Sequence, residues 1–170
     1  LAIADILRRA GVPNGVVNVV VADPPGPAVE AMLNSGKVRK LSFTGSTRVG
    51  SLLLAQAAQH VINCSMELGG NAPLIVCADA DIDVAVDGAM LAKMRNGGAA
   101  CTAANRFYVH EHVLSEFTEK FTVRMAALQL GDGLDPSTTL GPLVSRAQQQ
   151  RVADSVAGAV SRGAKVLCGG

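Results

Sequence analysis

The sequence is poor in aromatic residues and has no excess of charge of either sign. It contains no Trp, one Tyr and four Phe in 170 residues, and its formal net charge is +1 at pH 7. It lacks a basic stripe interleaved with aromatic side chains, which is the usual surface for binding nucleic acid. The composition therefore predicts no nucleic-acid partner and a core built from aliphatic side chains.

Long apolar runs and paired cysteine motifs are also lacking. No apolar run reaches the roughly 20 residues that span a bilayer, so the sequence predicts no membrane partner. The first residues do not follow the order of a signal peptide. The four cysteines, Cys64, Cys77, Cys101 and Cys168, show no metal-ligand spacing, and we predict no metal site. We expect a reducing, cytoplasmic setting in which Cys64 and Cys77 are buried core thiols.

What the sequence does contain is an alternation of helical and strand patterns. Apolar stripes predict helices over 1–10, 27–34, 48–59, 81–95, 113–127 and 143–162. Strands are predicted over 16–21, 39–43, 61–66, 72–77, 105–110 and 164–168. This order favours an α/β fold with mainly parallel sheets. The first helical pattern begins without a cap, which suggests a chain cut from a longer one.

A glycine-rich turn follows one of these predicted strands and opens a helix: Phe43-Thr44-Gly45-Ser46-Thr47-Arg48-Val49-Gly50. The free backbone N–H groups and the dipole at the start of a helix favour an anion. Gly45 would let a ligand approach the backbone, and Ser46 could cap the helix and donate to a phosphate. The stretch is not a G-x-G-x-x-G fingerprint and no Walker lysine follows. From spacing alone, an ordinary serine-capped helix is the better interpretation.

A carboxylate and a thiol stand in two further small-residue segments. These are Met66-Glu67-Leu68-Gly69-Gly70 and Arg95-Asn96-Gly97-Gly98-Ala99-Ala100-Cys101. A cysteine among Gly and Ala has space around its sulfur for nucleophilic attack, and a glutamate beside a Gly-Gly turn can move as a general base. The residues alone favour simpler roles: a core thiol for Cys101 and a surface salt-bridge partner for Glu67.

Together the three segments resemble the aldehyde dehydrogenase superfamily. The resemblance implies an internal fragment of that fold. Residues 1–69 would form the end of a Rossmann-like dinucleotide-binding domain, and residues 70–170 the start of the α/β catalytic domain. It further implies NAD or NADP as cofactor, a small-molecule aldehyde as substrate, and a homo-oligomer when the protein is full length.

The resemblance also implies the site residues. Cys101 would attack the aldehyde carbonyl, and Glu67 would activate the water that hydrolyses the resulting thioester, with both groups converging on one cleft. The residues expected to bind the cofactor are Thr44, Gly45, Ser46, Val49, Gly50, Leu68 and Gly69.

Several details refine this interpretation. Glu67 argues against the branch of the family that passes the acyl group to coenzyme A, which typically lacks this residue. Ala99 stands where the family usually has Gln or Glu. Ala103 stands where some members carry a second Cys, so a vicinal disulfide with Cys101 is not possible.

The segments 92–96 and 101–106 look most like the succinate-semialdehyde dehydrogenase branch. The pair Asn105-Arg106 is expected to support the fold rather than to catalyse.

The family's subunit is much longer than this chain, and an asparagine that helps to hold the oxyanion is among the parts not seen here. Losing one oxyanion donor costs about a hundred- to a thousandfold in rate, so we expect the isolated chain to be inactive. One alternative is a non-catalytic, truncated module that packs with a larger subunit. Another is a thiol enzyme without a cofactor, such as an acyl transferase.

Overall fold

The computed structural model describes residues 1–169 and divides the chain into two compact units, Leu1–Leu68 and Gly69–Gly170. The sequence predicted a division one residue later. Each unit contains a pair of parallel strands joined through a helix. The predicted α/β class with parallel sheets is therefore confirmed.

The first unit is built around one β-α-β element. Its secondary structure is α1 Ala2–Arg9, α2 Pro25–Asn34, β1 Lys40–Gly45, α3 Thr47–Ala58 and β2 Asn63–Leu68. Strands β1 and β2 pair in parallel, with Thr44 opposite Glu67 and Gly45 opposite Leu68. Because the strands are parallel and in this register, the turn after β1 and the acid near the end of β2 lie at the same edge of the sheet.

Helix α3 connects the two strands. Its sequence is rich in Ala and Leu, which are good helix formers, and Ser46 caps its first turn. Leu53 and Ala57, four residues apart, are buried on one face, and the helix also packs against α2, where Leu33 is only 2% exposed. The buried face fixes the helix on β1 and β2, and so fixes where its N-terminus lies.

The second unit repeats this pattern and adds two long helices. Its secondary structure is β3 Ala72–Val76, α4 Ile82–Met94, a 3₁₀ turn Arg95–Gly98, β4 Ala104–Val109, α5 Glu111–Ala126 and α6 Arg146–Ser161. Strands β3 and β4 are parallel, with a register shift between Ala72 and Pro73. The buried core joins β3, α4 and α5 through Val76, Ile82, Val86, Ala89 and Phe117. This core holds α4 and, through Phe107 and Val109, β4, the two elements between which Cys101 lies.

Two predicted strands are wrong. Residues 16–21 and 164–168 form no strand, and Val21 and Leu167 are 80% and 60% exposed. A run of β-branched residues favours an extended backbone, but a strand also needs a neighbour to accept its hydrogen bonds. Among residues 1–169 neither segment has such a neighbour.

The prediction of core thiols is also incorrect for Cys77. Its side chain is exposed, whereas Cys64 is half-buried and its Sγ lies 3.3 Å from the Ile62 carbonyl oxygen. Val76, the last residue of β3, is 3% exposed and faces the core, so the next residue along the chain points to the opposite side. Cys77 is thus an accessible thiol.

No helix in the described part of the chain is both long and apolar enough to cross a membrane.

Candidate active site

The turn after β1 exposes the N-terminus of α3. Ser46 Oγ accepts a hydrogen bond of 3.3 Å from the Val49 N–H, and the Ser46 carbonyl accepts one of 2.9 Å from the Gly50 N–H. The first N–H groups of the helix, at Thr47 and Arg48, have no acceptor within it. Thr44, Gly45 and Ser46 are all exposed. The result is an accessible end of a helix where backbone donors and the dipole favour an anion.

Glu67 and Leu68 lie beside this turn in the neighbouring strand. The Glu67 residue pairs with Thr44 and is exposed, while Leu68 pairs with Gly45 and is half-buried. Ligands of open α/β sheets bind outside the carboxyl ends of the strands, which is where these residues stand. The first unit therefore gathers the predicted acid and most of the predicted cofactor-binding residues at one edge of its sheet.

Gly50 has a packing role that the sequence did not indicate. A Cβ atom at this buried position would lie 2.6 Å from Leu68 Cδ2, far inside contact distance. Glycine here lets α3 approach β2 closely. Val49, the adjacent predicted cofactor-binding residue, is half-buried on the same turn of the helix.

Replacing Gly50 with Ala is expected to be unfavourable, although alanine is normally the better helix former. Gly88 in α4 is the matched control, because a Cβ there meets nothing within 4 Å. Gly88→Ala should raise the free energy of unfolding by about 0.5–1 kcal/mol. The free energy of unfolding of Gly50→Ala should be about 1–3 kcal/mol lower than that of Gly88→Ala, because Leu68 or α3 must move. Urea denaturation measures both, and equal gains in the two variants would contradict the packing.

The chain between α4 and Cys101 has an unusual backbone. Asn96, Gly97 and Gly98 all have positive φ, at 53°, 63° and 78°. Glycine adopts this left-handed region freely, and asparagine is among the few other residues that do so readily. Asn96 also forms two hydrogen bonds with Ala99. Its Nδ2 donates to the Ala99 carbonyl at 3.1 Å, and its carbonyl accepts from the Ala99 N–H at 3.0 Å. The backbone before the cysteine is thus held by specific contacts.

Cys101 lies at the centre of the next turn. The turn is closed by the Ala103 N–H donating to the Ala100 carbonyl at 3.0 Å. Ala103 and Ala104 are each 3% exposed and anchor the turn in the unit, whereas Cys101 is exposed. The interpretation of Cys101 as a buried core thiol is therefore wrong, because the residue is exposed.

Arg95 is a residue that the sequence analysis did not single out. Its Nη2 donates to Thr102 Oγ1 at 3.4 Å, which places an exposed guanidinium beside the turn that carries Cys101. The sequence did contain a signal for it, since Arg95 is the one charged residue in the segment 95–101, which is otherwise made of small and uncharged residues. A cation beside a nucleophile can bind a negatively charged substrate or stabilise charge in the reaction.

An open groove on the surface of the second unit is lined by none of the residues of the Cys101 turn. It has a volume of about 700 Å³ and is lined by α5 residues, among them Leu114, Thr118 and Val123, together with Leu167. None of the residues lining it was predicted to react or to bind a cofactor. We do not place the substrate there.

Two ionisable groups of the second unit have clearly shifted pKa values. The pKa of Lys120 is raised, first by its hydrogen bond to Asp83 and then by that to Glu116, both at 2.8 Å. The pKa of Asp135 is lowered, because the backbone and then the side chain of Ser137 donate to it. Lys120 is half-buried and Asp135 is exposed. The ion pairs of Lys120 lie at the surface, where such pairs contribute little to stability.

The comparison with known proteins is decisive for the family. All 170 residues match the model described as the aldehyde dehydrogenase family. The chain belongs to the aldehyde dehydrogenase family. This confirms the resemblance inferred from the three sequence segments.

Aldehyde dehydrogenases with semialdehyde substrates in their names are among the most similar relatives. The chain is 49% identical over 167 residues to succinate-semialdehyde dehydrogenase of Paenarthrobacter nicotinovorans, covering 98% of the chain and 37% of the relative. It is 46% identical over 170 residues to the NADP(+) succinate-semialdehyde dehydrogenase of Escherichia coli K12, covering 100% and 35%. The chain thus spans about a third of the length of these relatives.

A solved aldehyde dehydrogenase structure has the same fold. The succinate-semialdehyde dehydrogenase of Burkholderia pseudomallei superposes with a TM-score of 0.93 at 47% identity, over 99% of this chain and 35% of that one. The predicted aldehyde dehydrogenase fold is confirmed.

The predicted site residues of this aldehyde dehydrogenase chain are distributed over both units. The first unit holds Glu67 and the residues from Thr44 to Gly50, and the second begins with Gly69 and holds Cys101. Among residues 1–169, no three His, Cys, Asp or Glu side chains form a group that could hold a metal ion.

Proposed function

We propose that this chain supplies the nucleophile, the general base and part of the cofactor site of an NAD(P)-dependent aldehyde dehydrogenase. The observation that carries the proposal is the exposed Cys101 at the centre of a fixed turn. The family match over the whole chain supports it. As the sequence predicted, we further propose a cytoplasmic homo-oligomer when the protein is full length.

The residues at the start of α3 fit a cofactor that carries phosphates. The helix has a serine cap, an exposed glycine before it and no acidic residue in its first turn. NAD or NADP, when bound, would accept the hydride that the substrate carbon loses. Thr44, Gly45, Ser46, Val49, Leu68 and Gly69 would hold it, and Gly50 would set the approach of α3 to β2.

The chain's own residues would perform the remaining chemistry. The Cys101 thiol releases its proton to solvent and its Sγ attacks the aldehyde carbon. A C–S bond forms, the carbonyl π bond breaks to leave an oxyanion, and the Cys101 backbone N–H donates to that oxygen. Loss of hydride from that carbon leaves a thioester on Cys101. Glu67 then takes a proton from a water molecule whose oxygen attacks the thioester. The C–S bond breaks, the carboxylic acid leaves and the thiol is restored.

Arg95 favours an aldehyde that carries a carboxylate. Its guanidinium lies beside the Cys101 turn through the Thr102 contact, and guanidinium groups bind carboxylates through two parallel hydrogen bonds. The names of the relatives point to such substrates. We therefore propose succinate semialdehyde, or an aldehyde of closely similar shape and charge, as the substrate.

A chimera provides the test of this function. Residues 1–170 would replace the matching segment of the Escherichia coli relative, of which they cover 35%. We expect the chimera to oxidise succinate semialdehyde with NAD(P)+ and to prefer it to an uncharged aldehyde of the same length. The purified 170-residue chain alone should show no turnover. A chimera that folds and binds NADP+ but oxidises no aldehyde would contradict the proposal.

The alternative is a non-catalytic module that assembles with a larger subunit, which the coverage of about a third of the relatives' length allows. Alkylation of the isolated chain separates the two. Labelling of Cys101 well ahead of Cys64, Cys77 and Cys168 supports the reactive thiol. Equal, slow labelling of the exposed thiols supports the inert module.

Ser46→Ala is expected to weaken cofactor binding as well as the cap of α3. Ser145 is the matched control, because it caps α6 with the same bond, from the Gln148 N–H at 3.2 Å. Either substitution should cost about 0.5–2 kcal/mol of stability. Only Ser46→Ala should raise the Kd of NADP+ for the chimera, by about tenfold for one lost hydrogen bond to a phosphate. Isothermal titration calorimetry distinguishes the two variants, and equal Kd values would contradict the assigned role.

A further inference from the structure

We propose that Lys93 and Asn105 are positioning residues for Cys101: together they form a bridge that links the end of α4, the start of β4 and the Gly70 segment around the Cys101 turn. The inference rests on the proposed function of Cys101. The sequence analysis assigned Asn105 a supporting role in the fold and gave Lys93 none.

The bridge consists of two hydrogen bonds through one side-chain amide. Lys93 Nζ donates to Asn105 Oδ1 at 2.6 Å, and Asn105 Nδ2 donates to the Gly70 carbonyl at 3.4 Å. An ammonium group can only donate, so the amide oxygen must face Lys93 and the NH₂ group must face Gly70. Both ends of the amide are therefore used and its orientation is fixed.

Each end of this bridge touches the segment that carries the thiol. A Cβ at Gly70 would lie 3.4 Å from the Cys101 carbonyl oxygen, so the backbones at these two positions pack closely. A Cβ at Gly98 would lie 3.1 Å from the Lys93 carbonyl oxygen and 3.7 Å from Lys93 Cε. Lys93 thus lies close to the loop before Cys101, and through Asn105 it is linked to the Gly70 segment, which lies close to the Cys101 peptide.

A substitution at residue 105 can distinguish a positioning role from a simple surface contact. Aspartate is nearly the same shape as asparagine and would form an ion pair with Lys93. It would, however, place a carboxylate oxygen against the Gly70 carbonyl, where two acceptors repel. If the Lys93 contact mattered only for stability, Asn105→Asp would be tolerated. If the bridge holds Gly70 against the cysteine turn, the same substitution must disturb Cys101.

The experiment measures kcat, KM and thiol reactivity in a set of matched variants. In the chimera, Asn105→Asp and Lys93→Met should lower kcat by about 10- to 100-fold, because small misplacements of a nucleophile have effects of this size. The KM for the aldehyde and the Kd of NADP+ should change by less than about threefold, because neither Lys93 nor Asn105 is proposed to contact the substrate or the cofactor. Lys93→Arg keeps a donor and should restore kcat. Lys120→Met removes a lysine from a surface ion pair of the same unit and should leave kcat unchanged.

A second readout does not depend on aldehyde turnover. In the 170-residue chain, the rate constant for alkylation of Cys101 by iodoacetamide is compared with that of Cys168, an exposed thiol of the same molecule. Asn105→Asp should lower the ratio at least about fivefold while the melting temperature stays near that of the wild type. A ratio and a kcat within twofold of wild type in both Asn105→Asp and Lys93→Met would overturn the proposal.

The two readouts separate this inference from the proposed function. If the unmodified chimera oxidises aldehydes and the bridge variants behave as wild type, only the bridge is refuted. If the chimera oxidises no aldehyde but Asn105→Asp selectively slows alkylation of Cys101, the bridge stands and the dehydrogenase proposal fails.

Discussion

Cys101→Ser in the chimera is expected to lower kcat/KM for succinate semialdehyde by at least about a thousandfold, because the nucleophile is removed. A serine hydroxyl is far less nucleophilic than a cysteine thiolate. Cys77→Ser is the matched control, because Cys77 is also an exposed thiol of the second unit. It should leave kcat/KM unchanged. Steady-state formation of NADPH measures both variants.

The Kd of NADP+ serves as the folding control for this prediction. Cys101 is not among the proposed cofactor-binding residues, so Cys101→Ser should bind the cofactor as the parent chimera does. Loss of turnover with an unchanged Kd assigns the effect to the chemistry. Turnover within tenfold of the parent in a correctly folded Cys101→Ser chimera would rule out the cysteine as the nucleophile.

Glu67→Gln should separate the two halves of the reaction. Glutamine has nearly the same shape as glutamate but cannot accept a proton from water, so steady-state kcat should fall by about 10²- to 10⁴-fold. Thioester formation does not require that proton transfer. A rapid burst of NADPH, close to one equivalent per site, should therefore precede the slow steady state in stopped-flow measurements.

Glu30→Gln is the control for the change of charge. Glu30 is an exposed glutamate of the same unit, on α2, and its replacement should affect neither phase. If Glu67→Gln abolished the burst together with the steady state, the carboxylate would act before thioester formation. An unaltered kcat would exclude Glu67 as the general base.

The helix-and-turn framework of the first unit could be predicted because its signals are local. A serine cap followed by Leu and Ala defines α3, and the predicted strands on either side are β1 and β2. The failed strand at 16–21 shows the limit of such patterns. Its valines favour extended backbone, but pairing depends on a neighbouring strand that local sequence does not supply.

The candidate site was predictable only in part, for the same reason. The segment around Cys101 resembles the family pattern, so the thiol could be proposed from the sequence. The contacts that hold the turn around Cys101 could not be predicted from the sequence. Lys93 reaches Asn105 across 12 residues and Asn105 reaches Gly70 across 35, so both contacts depend on the tertiary fold.

In the proposed reaction, Cys101 carries the substrate as a thioester, and Glu67 activates the water that hydrolyses it. The most direct measurement is mass spectrometry of proteolytic peptides from the Glu67→Gln chimera, quenched in acid after mixing with succinate semialdehyde and NADP+. We predict that the mass of one succinyl group is added to the peptide containing Cys101 and to no other. An acyl group on a different residue, or NADPH formed with Cys101 unmodified, would contradict it.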